Sequence, residues 1–195
     1  MTRVKPFLAP AIHPSEMAEV HPQGQRLTAG ELFREHGAFV AGFVSRLGVP
    51  RQELDDVVQD IFLVAHQRGG FVEGSARPNT WLAEIAFRVV SGRRRSARRK
   101  REDSDALALD HAVADAPGAD ARADSRQRLA RVQRALETLD LTHRNVFVLF
   151  EIYGEPCDQI AAGLGIPVGT VYSRLHKARR QFSQAHAALT QGEVE

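Results

Sequence analysis

At 195 residues the chain holds one domain or two small ones, and 43% hydrophobic residues are enough to bury a core. Its net charge is only +2 although its pI is about 9.0, so attraction to nucleic acid has to come from uneven placement of charge. The single cysteine, Cys157, excludes an internal disulfide and a cysteine-cluster zinc site, and no apolar run is long enough to span a membrane.

Residues 1–27 carry Pro6, Pro10, Pro14 and Pro22 with no sustained period, and read as a disordered tail without a signal-peptide core. Arg far outnumbers Lys, which occurs only as Lys5, Lys100 and Lys177. Arginine suits bidentate phosphate contact, and an arginine-rich proteome gives the same bias. Thr28 and Glu31 have capping-box spacing, and a helix is predicted to about Leu47 with Leu32, Phe33, Phe39, Val40, Phe43, Val44 and Leu47 apolar. Gly48 ends it and Pro50 opens the next.

That next helix, over 51–67, has a core stripe of Leu54, Val57, Val58, Ile61, Val64 and Ala65. Asp56, Gln59, Asp60, Leu63, His66 and Gln67 take the opposite face, with Asp55 and Phe62 at its flank. An acidic face with a leucine in its middle is either a docking surface or a solvated face with one exposed apolar residue. Residues 68–79, with three glycines and a proline, read as a loop. A helix over 80–99 turns Leu82, Ile85, Ala86 and Val89 inward, and lines another face with Trp81, Glu84, Arg88, Ser91 and Arg95. Arg88, Arg93, Arg94, Arg95, Arg98, Arg99, Lys100 and Arg101 make this segment strongly basic, with only Glu84 opposing them. Such a helix can neutralise phosphates and stack an aromatic on unpaired bases. The other readings are a core anchor for Trp81 and a membrane or calmodulin-type surface for the arginines.

Residues 102–124 turn acidic, with Glu102, Asp103, Asp105, Asp110, Asp115, Asp120 and Asp124 around Pro117-Gly118, and read as a flexible linker. Such a linker cannot fix the geometry of its flanking modules, so a weak, transient compact state is expected. A helix over 126–139 turns Leu129, Val132, Leu136 and Leu139 inward; Thr142 is expected to cap the next, which carries Val146, Phe147, Leu149, Phe150 and Ile152 and stops at Gly154. Then come a short helix over 157–164, a left-handed stop at Gly165, and a longer helix from Val168 through Phe182, after which the chain frays. In this last helix Val171, Leu175, Ala178 and Phe182 form one stripe, and Gly169, Tyr172, Ser173, His176, Lys177 and Arg180 point the other way. Periodicity alone also fits a solvated amphipathic helix; the glycine turn and the basic run 176–180 favour a helix-turn-helix reading a major groove.

The string LGIPVGTV at 164–171, followed by Ser173-Arg174-Leu175 and Ala178-Arg179, resembles region 4 of sigma-70-family transcription initiation factors, of the extracytoplasmic-function (ECF) group. DDVVQDIF at 55–62 resembles region 2.2 of that group, and TWLAEIA at 80–86 its region 2.3–2.4. The resemblance covers about 31–101 and 126–182, in family order. It implies an all-α fold of two small helical domains: region 2-like at 28–101, the acidic linker 102–124, a region 4-like helix-turn-helix domain at 125–187, and a tail at 188–195. It further implies a bacterial cytoplasmic factor that binds core RNA polymerase, recognises promoter DNA at minus-10 and minus-35 elements, aids strand opening, and has an anti-sigma factor as a partner. By resemblance, Asp55, Asp56, Gln59, Asp60, Phe62 and Leu63 bind polymerase; Trp81, Arg88, Ser91, Arg94 and Arg95 serve the minus-10 element; and Thr170, Tyr172, Ser173, His176, Lys177, Arg179 and Arg180 serve the minus-35 element. The chain departs from the family in lacking a proline near Leu141-Thr142, in Gln159 where a Glu is usual, and in the wording of the 68–79 loop, where no base-capture residue is assigned. The alternative is a free-standing helix-turn-helix regulator; such proteins usually dimerise, and no dimerisation heptad is present. No phosphate-cradling glycine loop, nucleophile elbow or metal-spaced His/Cys set occurs, so neither an enzyme, a metal nor a cofactor is expected.

Overall fold

A computed structural model describes residues 26–102 and 120–191, with side chains described for 26–100 and 126–191. All but the last two residues of the expected tail (1–27) and most of the expected linker (102–124) therefore lie outside the described residues. The Thr28 side chain accepts from the Glu31 N–H at 3.3 Å while Glu31 Oε2 accepts from the Thr28 N–H at 2.8 Å, and this reciprocal cap starts α1 (Ala29–Arg46). Beyond Pro50 a single 3₁₀ turn (Arg51–Glu53) leads into α2 (Leu54–Gln67), which buries Val57, Val58, Ile61, Phe62 and Ala65. The ends of the expected tail and loop are not irregular: β1 (Arg26–Leu27) pairs antiparallel with β2 (Phe71–Val72), Leu27 opposite Phe71. Helix α3 (Pro78–Glu102) follows, with proline at its first position.

The second half comprises α4 (Asp120–Glu137), α5 (Leu141–Phe147), a π-helical turn (Val148–Ile152), α6 (Cys157–Leu164) and α7 (Val168–Gln191). Three expectations are corrected here. Asp140, not Thr142, caps α5, because its carboxylate accepts from the N–H groups of both Thr142 (2.9 Å) and His143 (3.0 Å). Leu129 is 67% exposed, the core side of α4 being Ala135 and Leu136. Helix α7 does not fray at Ser183: Phe182 lies 4.7 Å from the Phe147 ring and stacks on His186, and α4 runs alongside, so the added turns have something to pack against.

The two halves share one apolar core. Helix α6 crosses α3 so closely that a Cβ on Gly163 would sit 2.5 Å from Thr80 Cβ and 2.7 Å from its carbonyl carbon. Tyr153, at the end of the π turn, meets Phe39 edge-on at 4.7 Å, and its hydroxyl accepts from Arg46 at 3.3 Å. Arg144, only 3% exposed, donates to Leu47 O (3.0 Å) of the first half and to Leu139 O (3.1 Å) of the second. Arg94 donates to the same Leu47 carbonyl from α3. Two cations thus sit on the C-terminal end of α1, where the last carbonyls lack helical partners and the dipole favours positive charge. They fit because Gly48 follows with φ of +88°, and any Cβ there would lie 2.7 Å from Arg144 Nη1. Burial, with Arg94 adding to it, pushes the Arg144 guanidinium down to about 10, which leaves it charged at neutral pH. Glu155, 5% exposed, accepts from Asn79 Nδ2 at 3.2 Å and lies 3.6 Å from Arg77 Nη1. The expected contact between halves is weak and transient; the described one packs Tyr153 on Phe39 and buries Arg144 and Glu155, partners too far apart in sequence for linker composition to encode.

The α3–α6 crossing gives a paired test. Gly163→Ala must push Thr80 aside and should cost about 1–3 kcal/mol, whereas Gly92→Ala, in α3 with nothing within 4 Å of the new methyl, should stabilise by roughly 0.5–1 kcal/mol. Urea unfolding of both variants measures this. Equal stabilisation by the two would mean that α3 and α6 do not touch.

Candidate nucleic-acid and protein interfaces

The helix-turn-helix is built by its turn. Gly165 adopts φ of +63°, and the Ile166 N–H then reaches back to Ala161 O at 3.0 Å, closing α6. Pro167 and Val168 restart the chain as α7, whose Val171, Leu175 and Ala178 are buried. Tyr172 is 59% exposed, and Ser173, His176, Lys177 and Arg180 are exposed around it, with Thr170 half-buried at the start of the helix. Ser173 Oγ donates to Thr170 O at 3.0 Å, which leaves its lone pairs for an outside donor. Arg179 stands apart from this set: its Nε donates to Glu151 Oε1 at 2.5 Å, and its guanidinium lies 5.1 Å from the centre of the Phe150 ring. The structure therefore engages Arg179 within its own domain. At 100° per residue it sits about 70° from the centre of the buried stripe, against about 170° for Arg180, so the sequence carried that signal.

On α3 the expected DNA set divides. Trp81 is half-buried and meets Phe71 of β2 at 5.7 Å, so part of its ring is packed and part faces solvent. Arg88 is exposed but ion-paired to Glu84, a buried carboxylate that also takes Arg68 at 2.7 Å. Arg94 turns back onto Leu47 O, drawn by an unpaired helix-end carbonyl, and burial lowers its pKa. Ser91 is half-buried and Arg95 exposed. Beside the first turn of α3 an open cleft of about 440 Å³ is lined by Phe71, Glu73, Ala76, Arg77 and Pro78, with Gln159 of α6 at its rim.

The face of α2 is also divided. Asp55, Asp56, Gln59 and Leu63 are exposed, Leu63 by 53%. Asp60 is held by Arg93, which donates to it through Nε (3.2 Å) and Nη2 (2.5 Å) and lies 3.9 Å from Glu53. Phe62 is only 7% exposed and meets Phe33 of α1 edge-on at 5.1 Å. Phe33 is the residue that sequence reasoning missed. It is 54% exposed and forms a shallow groove with Val58, Phe62 and Leu63, rimmed by Asp55, Gln59 and Asp60. Periodicity puts it beside the α1 core stripe, so nothing in the pattern marks it as exposed. Cys157 is buried where α6 begins, and burial raises its thiol above the usual range. Among the described residues no group of His, Cys, Asp or Glu could hold a metal ion, and no helix is long and apolar enough to cross a membrane.

Residues 32–100 match the Sigma-70 region 2 family and residues 129–182 match Sigma-70, region 4. The RNA polymerase sigma factor CnrH of Cupriavidus metallidurans is 32% identical over 166 residues, covering 82% of this chain and 87% of that protein. The ECF RNA polymerase sigma factor SigL of Mycobacterium tuberculosis is 33% identical over 155 residues, covering 76% and 83%. Among solved structures, CnrH in complex with the cytosolic domain of CnrY has a TM-score of 0.58 at 29% identity, covering 82% of this chain and 88% of that one. RpoE in complex with the anti-sigma factor NepR, from Bartonella quintana, has a TM-score of 0.64 at 22% identity, covering 80% and 94%, a likeness of fold. With both regions matched in family order and the all-α architecture in place, the chain belongs to the ECF group of sigma-70-family RNA polymerase sigma factors.

Proposed function

We propose that the groove on α1 and α2 docks the chain on core RNA polymerase, that the outer face of α7 reads the minus-35 element, and that the basic flank of α3 engages the minus-10 element as the strands open. The observation that carries this reading is the groove. Phe33 and Leu63 are both more than half exposed, and acidic side chains rim them. A contiguous apolar surface edged by charge is what an interface core and its polar rim require. Within it Phe33, Leu63, Asp55, Asp56 and Gln59 make the contacts, while Asp60 and Phe62 hold the surface in shape.

On the DNA side, Tyr172, Ser173, His176 and Lys177 present donors, acceptors and an aromatic to base edges, and Arg180 takes phosphate. On α3, Arg88, Ser91 and Arg95 serve the minus-10 element. Helix α6 covers the first turn of α3 in the described arrangement and leaves Arg88 and Arg95 exposed beyond it. The chain acts by binding and supplies no chemistry of its own, and its setting is the bacterial cytoplasm. CnrH and RpoE are seen with CnrY and the anti-sigma factor NepR, and by that likeness an anti-sigma factor is a partner here.

Docking is tested with Phe33→Ala and Leu63→Ala. Each should weaken binding to core polymerase by about 1–3 kcal/mol; Leu63→Ala should move stability by less than about 0.5 kcal/mol, and Phe33→Ala, which also loses the edge contact with Phe62, by about 0.5–1.5 kcal/mol. Asp60→Arg is a different variant: it strips Arg93 of its partner and should cost on the order of 1 kcal/mol of stability. Polymerase titrations beside thermal melts separate these, and unchanged binding by both apolar variants would contradict the docking face. On DNA, alanine at Tyr172, Ser173 or His176 should cost about 1–3 kcal/mol at one upstream position. An unaltered minus-35 preference with all three replaced would overturn the assignment of α7.

A further inference from the structure

We infer that Arg179 is a positioning residue: with Glu151 and Phe150 of the π turn it forms a strut that sets the angle of α7 against its own domain, and it does not neutralise a DNA phosphate. This rests on the reading that the outer face of α7 contacts promoter DNA. Three observations carry it. Arg179 Nε donates to Glu151 Oε1 at 2.5 Å and the guanidinium covers the Phe150 ring at 5.1 Å, so Nε and one face of the guanidinium are engaged within the domain. Glu151 and Phe150 are adjacent residues of Val148–Ile152, where one turn of helix is wound wider. A π turn inserts a residue into the ladder and changes the direction of the side chains on it; here it directs two neighbours at one arginine. Finally, Arg179 lies near the flank of α7 that carries Tyr172 and His176, whereas Arg180 faces away from the domain. A pivot at that edge controls how deep Tyr172 and His176 stand in a groove.

A phosphate contact and a strut leave different signatures. Removing a phosphate contact lowers the slope of log affinity against log salt by about 0.9, whatever the base sequence. Removing a strut weakens binding while leaving the number of displaced counterions unchanged. The measurement uses duplexes selected from a random-sequence pool by the wild-type factor in complex with core polymerase, titrated over salt with Arg179→Ala, Glu151→Gln, the double variant, and Arg180→Ala. Arg179→Ala and Glu151→Gln should each weaken binding roughly two- to fivefold, the scale of a half-exposed ion pair with a cation–π contact. Both should keep the wild-type slope, and the double variant should be no weaker than the worse single one. Arg180→Ala should reduce the slope. Glu151→Gln keeps the size and polarity of the side chain and guards against a merely unfolded Arg179→Ala. A reduced slope for Arg179→Ala with no effect of Glu151→Gln would overturn the inference. If Arg180→Ala is also without effect, the DNA-reading assignment of α7 fails, and the strut with it.

Discussion

The arrangement depends on one buried cation. Arg144 gives up nearly all of its hydration to sit between Leu47 O and Leu139 O, one carbonyl from each half of the chain. A buried charge persists only where hydrogen bonds and field replace the water it has lost. The C-terminus of α1 supplies both, and Arg94 reinforces the same carbonyl from α3. Gly48 is required there by geometry, since a side chain would displace both guanidinium groups. Around this point the other cross-contacts fall into place: Tyr153 against Phe39, Gly163 against Thr80, and Glu155 under Asn79 and Arg77.

Intramolecular partners claim many of the arginines. A basic segment in a DNA-binding protein invites the assumption that each cation meets a phosphate. Here Arg68 serves a buried Glu84, Arg93 serves Asp60, Arg94 and Arg144 serve a helix end, and Arg179 serves Glu151. The planar fork that suits phosphate suits carboxylates and carbonyls equally. The junction also involves Asn79 and Thr80 at the very start of α3, the helix whose basic flank, two to four turns further on, is assigned to DNA.

What the sequence made legible is local. The Thr28–Glu31 cap, the Gly165 stop and the Val171, Leu175 and Ala178 stripe depend on residues within a few positions of one another, and each is present. Family membership was legible for the same reason, in short strings at 55–62, 80–86 and 164–171. Apart from the Asp140 cap, which lies two residues from the expected one, the misplacements are long-range. Helix α3 is packed by α1 and α2 and also by α6, so Thr80, Ala83 and Glu84 are buried along with the expected stripe, and a single-face reading could not show that. Phe33 and Phe62 exchanged expected exposures because each depends on the other's helix. The Arg179 position could have been read from its wheel angle, but its partner Glu151 sits on a π turn, which no simple period describes.

The most direct test of a buried junction is small-angle scattering on the free chain as salt is raised from about 0.1 M to 1 M, which shortens the screening length from about 10 Å to 3 Å. Contacts made by the buried Arg144 and Glu155 and by the apolar packing of Tyr153 on Phe39 are little screened, so the account predicts one compact profile that does not change. A profile that expands with salt would contradict it, and would mean that exposed charge attraction alone brings the two halves together.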